Sequence, residues 1–395
     1  MKILIVSQYY YPERNSVADI AEGLFKLGHK VSVLTGKPNY GFHKILPEYK
    51  KVKYEVINGV EVYRVKLSPR KDSRISIYRN YLSFHRNAKR FVRHFKERFD
   101  IVLSISLSPV ISIAPAILFA KKNNIPHVLY CEDLWPESTV VTGAVKKDSL
   151  VYKFLYRWSK SLYSKCDDIF ISSPSFKMYF NEVLGISDKS FIRINQPIIL
   201  SKEDNLPVSY TCGHNFVYAG NIAKLQLTDK LIEAFKLIDD DNTKLHLMGM
   251  GGLLPTVLEE ISKPELKDKI VYHGALPIEQ AETFYENADA LIVPLKDSGY
   301  VGKTIPNKAV QYLKYGRPIV CIAKGDTKEL LSRVDGSIYS EEDPESIKDA
   351  IIKFTKLSDS KKSEMGKNNK KLFYEELSTD KLVKRFEEEL IKKVK

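Results

Sequence analysis

TIPNKAVQYLKYGRPIV, residues 304–320, reads as one short helix running into a buried strand. Pro306 suits a helix start, because the N–H it lacks has no helical partner there. Asn307 to Tyr315 carries no helix breaker, Gly316 offers a left-handed stop, and Pro318 bars continuation. The apolar run after Pro318 then predicts a strand. Lys308 and Gln311 stand three apart, so both project from one face of the first turns. A helix N-terminus bearing an ammonium and an amide is fitted to a phosphate and to hydroxyls. The same pattern also describes a plain surface helix packed on a sheet, and this segment alone does not separate the two.

The alternation of helix and buried strand recurs along the chain. KILIVS (2–7) is followed by a helix from Ser16 to Leu27, stopped by Gly28, and then by KVSVLT (30–35). DIVLSIS, HVLYCED and DIFISS continue the series, with helices at Pro115–Lys122 and Leu150–Ser164 between them. Short strands separated by helices need parallel crossovers, which predicts a doubly wound sheet. IILSKEDNLPVSYTCG (198–213) has no period and reads as a linker. The pattern then restarts with NFVYAG, KLHLMG, IVYHG, ALIVPL and PIVCIA, separated by helices at Thr228–Ile238, Leu253–Ile261, Ile278–Asn287 and Asn307–Tyr315. The expected fold is α/β, with two Rossmann-like doubly wound parallel-sheet domains, residues 1–198 and 199–375, facing a cleft. A charged helix within 376–395 is expected to pack back toward the first domain. Open parallel sheets bind ligands at the carboxyl ends of their strands, so the cleft is the expected site.

Composition narrows the setting. The four cysteines, Cys131, Cys166, Cys212 and Cys321, make no CxxC or metal-ligand spacing, which fits free thiols in a reducing compartment. MKILIVSQYYYP has an apolar run too short for a signal peptide and reads as a first strand. Ile101–Ala120 is uncharged and long enough to span a bilayer, but its serines, Pro109 and Pro115 split it into a strand and a helix. The formal net charge is +13. Between Arg64 and Arg98 stand twelve Lys or Arg against only Asp72 and Glu97. Within that stretch Tyr81, Phe84, Ala88, Phe91, Val92 and Phe95 line one helical stripe among basic residues. A basic amphipathic helix of this kind suits an anionic membrane surface, and equally an ordinary domain helix with a solvated basic face. No nucleic-acid motif accompanies it, so a nucleic-acid partner is not expected.

Seven segments in order over nearly the whole chain resemble the family 4 glycosyltransferases of GT-B fold, particularly the bacterial branch that builds capsule and O-antigen chains. They are QYYYPE, LGHKVSVLTGKPNY, CEDLWPES, YAGNI, LMGMGG, YHGALP and IPNKAVQYLKYGRPIV. Each is weak alone; their order and spacing give the resemblance its weight.

The resemblance implies a donor site in the second domain. Glycines after strands let backbone approach a charged ligand, which points to Gly220 in YAGNI and to Gly249 and Gly251 in LMGMGG. Where the family has an Arg directly after the first glycine and a Lys five further on, this chain has Asn221 and Gln226. Of the family's two glutamates in the opening segment, the first falls on Lys303 and the second on Gln311. Positive charge toward a diphosphate is therefore expected from Lys224, Lys303, Lys308 and Arg317, with Pro306 and Asn307 opening the helix and Gln311 toward ribose. In CEDLWPES, Glu132 and Asp133 follow a strand. The family has His then Asp there, so Asp133 is the preferred base or electrostatic stabiliser and Glu132 its neighbour. Glu13, Arg14, Asn15 and Tyr40 are expected on the acceptor side. His273, beside Gly274, reads as a structural histidine.

The implied function is a retaining glycosyltransferase that moves a sugar from a nucleotide donor, UDP-linked, to a lipid-linked surface-polysaccharide acceptor. It would act without cofactor or metal, peripherally on the inner face of the bacterial plasma membrane through residues 64–98. Two other classes stay open: a UDP-N-acetylhexosamine 2-epimerase-like isomerase, and an inactive transferase-like partner subunit, which the substitutions at Asn221, Gln226, Lys303 and Gln311 would suit.

Overall fold

The structure, a computed structural model, describes residues 1–13, 15–71, 73–198, 210 and 213–394. Arg14 and nearly all of the segment read as a linker lie outside the described residues. The chain divides into two compact units, Met1–Ile199 with Ser378–Lys395, and Leu200–Leu377.

The first unit holds eight strands: β1 Lys2–Val6, β2 Lys30–Gly36, β3 Tyr54–Ile57, β4 Val60–Val65, β5 Ile101–Ser106, β6 His127–Cys131, β7 Asp168–Ile171 and β8 Ser190–Arg193. Their order in the sheet is β3-β4-β2-β1-β5-β6-β7-β8. Every pairing is parallel except β3 with β4. That hairpin departs from the purely parallel sheet read from the sequence. It turns at Asn58-Gly59, both with positive φ, the dipeptide best suited to a tight turn whose twist matches that of the flanking strands.

The second unit holds β9 His214–Ala219, β10 Thr243–Met248, β11 Ile270–Tyr272, β12 Ala290–Pro294, β13 Ile319–Ile322 and β14 Ser337–Tyr339. Their order is β11-β10-β9-β12-β13-β14, and all are parallel. In each unit the strand order reverses beside the first strand, β1 or β9. The loops leaving such a reversal diverge and open a crevice.

Helix Arg74–His94 is fixed by its core face and by Ser73, whose hydroxyl accepts from the Ser76 amide at 3.3 Å. Phe84, Ala88 and Val92 are buried against Leu4, Val6, Val65 and Phe119. The aromatic stripe that suggested a membrane surface therefore faces the sheet. Burying side chains of this size contributes roughly 1.5–3 kcal/mol each, far more than a surface role would leave to them.

The closing helix, Thr379–Val394, belongs to the first unit, where Leu382, Val383, Phe386 and Leu390 join the core of Ile5, Tyr130 and Phe170. Lys393 Nζ pairs with Asp168 at 2.7 Å, and His29 Nε2 meets Glu387 at 2.8 Å. Ile101–Ala120 resolves into β5 and part of helix Ala114–Asn123. Among the described residues no helix is long and apolar enough to cross a membrane.

Candidate active site

In the second unit the loops after β9, β10 and β11 lie side by side at the carboxyl edge of the sheet. Gly220 N donates to Met248 O at 3.0 Å, Ile222 N to Met250 O at 2.8 Å, and Gly249 N to Gly274 O at 2.8 Å. Gly249, at φ +131°, has no room for a side chain, since a Cβ would stand 1.8 Å from the Gly220 carbonyl. Gly251 is closed in the same way by Ile222 O and Asn221 Oδ1. Loop-to-loop packing alone demands these glycines.

Helix Asn307–Lys314 starts against the same loops, with Pro306 as its N-cap residue. Lys308 Nζ donates to Tyr218 OH at 3.0 Å and to Gln226 Oε1 at 2.6 Å, and lies 4.2 Å from the centroid of the Tyr218 ring. A Cβ at Gly220 would approach that ammonium to 2.7 Å. All of its partners are neutral, and burial lowers the Lys308 pKa to about 7. Gln226, standing where the family carries a cation, accepts from Lys308 and holds it in place. The sequence reading missed Tyr218 and Tyr312. Tyr312 OH, which accepts the Ala219 amide at 3.0 Å, ties the helix to the end of β9.

The structure thus gathers Gly220, Asn221, Gln226, Gly249, Gly251 and Lys308. Asn307 is exposed at the helix start and Gln311 is half-buried further along it. Lys224 and Lys303 are exposed, and the Lys303 carbonyl accepts the Asp326 amide at 2.9 Å. Arg317 reaches the Glu286 carbonyl. His273 Nε2 meets His246 Nδ1 at 2.9 Å, and His246 Nε2 meets Asn215 Oδ1 at 3.0 Å. Burial lowers both histidine pKa values, that of His246 to about 4, so the pair is neutral at pH 7.

In the first unit Glu132 and Asp133 follow β6, beside the loop after β1. Ser16 Oγ donates to Glu132 Oε1 at 2.5 Å. Burial pushes the Glu132 pKa up to about 8, with a smaller contribution from the Asp133 charge. It raises that of Asp133 to about 6, against the opposing Leu134 amide. The segment after them is anchored: Trp135 is buried, and its Nε1 donates to Ser108 Oγ at 2.9 Å.

Of the acceptor-side residues, Glu13, Asn15 and Tyr40 line one cavity of about 320 Å³ with Tyr9, Arg70, Tyr81, Leu107 and Ser108. Glu13 Oε1 accepts the Asn39 and Tyr40 amides, both at 2.5 Å. Burial raises the Glu13 pKa, and those two amides hold it down. Asn15 also serves the fold, since its Oδ1 accepts the Val17 amide at 3.0 Å and caps helix Ser16–Lys26. Arg70 was not singled out from the sequence, because it sat inside a stretch read for its basic charge, and Tyr81 was read only as a member of the aromatic stripe. Among the described residues no three His, Cys, Asp or Glu side chains cluster to hold a metal ion.

Two Rossmann-like sheets with polar groups at their carboxyl edges define the GT-B class. Residues 14–200 match the family described as Glycosyltransferase Family 4, and residues 213–356 match Glycosyl transferases group 1, together most of the chain. The chain belongs to the family 4 glycosyltransferases and is a transferase enzyme. It is 24% identical over 238 residues to the probable glycosyltransferase WbjE of Pseudomonas aeruginosa, a match covering 57% of this chain and 58% of that relative's length. Sucrose-phosphate synthase from Thermosynechococcus elongatus has the same fold, with a TM-score of 0.74 at 14% identity over 99% of this chain and 98% of that one. HepE of Anabaena, solved with UDP and glucose, gives a TM-score of 0.70 at 12% identity, over 99% of this chain and all (100%) of that one.

Proposed function

We propose that this enzyme transfers a sugar from a UDP-linked donor, with retention of configuration, to a lipid-linked acceptor in surface-polysaccharide assembly. The observation that carries the donor half is Lys308. A half-buried ammonium held by a phenol, an amide and an aromatic face, with no carboxylate beside it among the described residues, is a site prepared for an anion. It stands at a helix N-terminus, so backbone amides add to the same field. UDP as the carrier is supported by HepE, whose structure contains UDP and glucose. In this scheme Lys308 and the helix start stabilise the departing diphosphate without a metal, and Asp133 stabilises charge at the transferred sugar.

A role at the membrane is supported by a different face from the one the sequence suggested. Ile75, Tyr78 and Leu82 are exposed on helix Arg74–His94, as are Leu150, Val151 and Phe154 on helix Leu150–Tyr163. His85 and Trp158 join the two helices edge to face, with centroids 6.4 Å apart. Both helices carry Lys and Arg and no acid.

A thermal-shift series with UDP, GDP, ADP and CMP and their sugars tests the donor. UDP compounds are expected to raise Tm, and Lys308→Ala to abolish the rise. No stabilisation by any nucleotide would point to an inactive subunit. Epimer formed from a UDP-sugar without acceptor would assign an isomerase.

A further inference from the structure

The cavity of the first unit contains a charge that a neutral sugar would not need. Arg70 Nη1 donates to Tyr9 OH at 3.2 Å and to Tyr81 OH at 3.0 Å. Its Nε and Nη2 have no hydrogen-bond partner among the described residues. The guanidinium lies 4.9 Å from the centroid of the Tyr40 ring and 5.5 Å from that of Tyr81. Arg64, six positions earlier, pairs with Glu55. Arg70 has no carboxylate within ion-pair reach among the described residues.

The position is built, not incidental. The Arg70 amide donates to Asn39 Oδ1 at 2.9 Å, and Asn80 Nδ2 donates to the same oxygen at 2.9 Å. Gln8 Nε2 reaches Asn80 Oδ1 at 2.6 Å and Tyr9 OH at 3.2 Å. Gln8, Asn39 and Asn80 are all buried, so this network locks both the backbone of Arg70 and the phenol that holds its head. A half-buried guanidinium fixed in this way, with one edge of its fork open, matches the planar two-oxygen face of a carboxylate or phosphate.

Resting on the transferase reading above, we infer that the acceptor carries an acidic group, carboxylate or phosphate, and that Arg70 recognises it in this cavity. Glu13 lines the same space and would repel an anion close to it. It therefore sets the orientation, with acceptor hydroxyls toward Glu13 and the acidic group at the Arg70 end. The rings of Tyr9 and Tyr40, packed edge to face with centroids 5.4 Å apart, supply one apolar wall against which the acceptor sugar lies.

The test uses the full chain with saturating UDP, so that the nucleotide site is filled. Intrinsic fluorescence reports binding, because Trp135 is bonded to Ser108 on the cavity wall. The probes are methyl glucuronide, glucose 1-phosphate and, as neutral control, methyl glucoside. At least one acidic probe is expected to bind about tenfold more tightly than the neutral one, with a preference that weakens as salt is added. The better of the two identifies the source as a carboxylate or a phosphate. Arg70→Gln should erase the preference and Arg70→Lys should keep part of it. Equal binding of all three probes by the wild type, or a preference surviving in Arg70→Gln, overturns the inference. UDP-induced stabilisation measured on the same sample separates the two readings: if it persists while the preference is absent, only this inference falls.

Discussion

At Lys308 burial and function pull in opposite directions. Its pKa is lowered from 10.5 to about 7, and a bound diphosphate would restore the charged form. Affinity for UDP is therefore expected to hold below about pH 7 and to weaken above it by up to about tenfold per pH unit, measured by isothermal titration. Lys308→Ala should bind at least about tenfold more weakly and lose that dependence. Stability has the opposite sign. Between about pH 7 and 10.5 the unfolded chain binds the proton that the folded one has released, so stability rises with pH across that window. Lys308→Met should accordingly raise Tm at pH 6 while removing UDP binding; a lowered Tm would show that the ammonium stabilises the fold. The two carboxyls after β6 sort themselves by the same physics. At pH 7 Glu132, raised to about 8, keeps its proton, while Asp133, raised to about 6, has lost most of its own. Turnover is expected to fall as pH drops through about 6. Asp133→Asn should lower kcat by about a hundredfold or more with UDP affinity unchanged; an unaltered kcat would leave the loop an architectural role only.

Among the elements, the closing helix makes the sharpest expectation. Phe386 is fully buried, with its ring edge-on to Tyr130 at 4.8 Å and 5.9 Å from Phe170. Phe386→Ala should cost about 3–5 kcal/mol and lower the melting of the first unit by roughly 10 °C, with UDP still stabilising the second. Loss of UDP stabilisation in that variant would show that the two units are energetically coupled. Helices and parallel strands were legible where Gly, Pro or a capping Ser punctuated a clear period, as at Gly316, whose φ is +62°. Helices Pro344–Thr355 and Asp359–Leu372 were nevertheless passed over despite Pro344 and Ser358 at their starts. The β3–β4 hairpin was overlooked although YEVI-NG-VEVYRV carries its turn signal. β8, SFIR, and β14, SIY, were overlooked because neither presents an uninterrupted apolar run among its polar neighbours. In the candidate site, Gly220, Lys308, Asp133 and Glu13 stood out because each sits at a strand end or a helix start. Tyr218 and Arg70 did not, because their importance lies in contacts across long stretches of chain. Arg70 meets Tyr9 from sixty-one positions away, and Tyr218 meets Lys308 from ninety. The two readings of the basic helix stayed open for a related reason. Its aromatic stripe has the period of a core face and of a membrane face alike, and only the sheet beneath it decides between them.

For the whole molecule, the net charge of +13 matters through where it is concentrated. Arg86, Arg90 and Arg93 are exposed on helix Arg74–His94, and Lys89 is half-exposed between them. On the neighbouring helix Leu150 is 85% exposed and Phe154 61%. Exposed apolar side chains beside cations that pair with no acid among the described residues fit the interface of an anionic bilayer, where the ring or alkyl chain enters the headgroups and each cation contributes about 1 kcal/mol. Reversing Arg86, Lys89, Arg90 and Arg93 to Glu should weaken flotation with phosphatidylglycerol vesicles by about a thousandfold or more and leave Tm nearly unchanged. The Leu150→Ser, Phe154→Ser pair should weaken it less and in a manner insensitive to salt, because its loss is of buried apolar area and not of charge. The two variants thus separate the electrostatic and the hydrophobic parts of one surface. Vesicle binding that survived both sets of changes would remove this face from any membrane role, and another part of the protein would then have to make the contact.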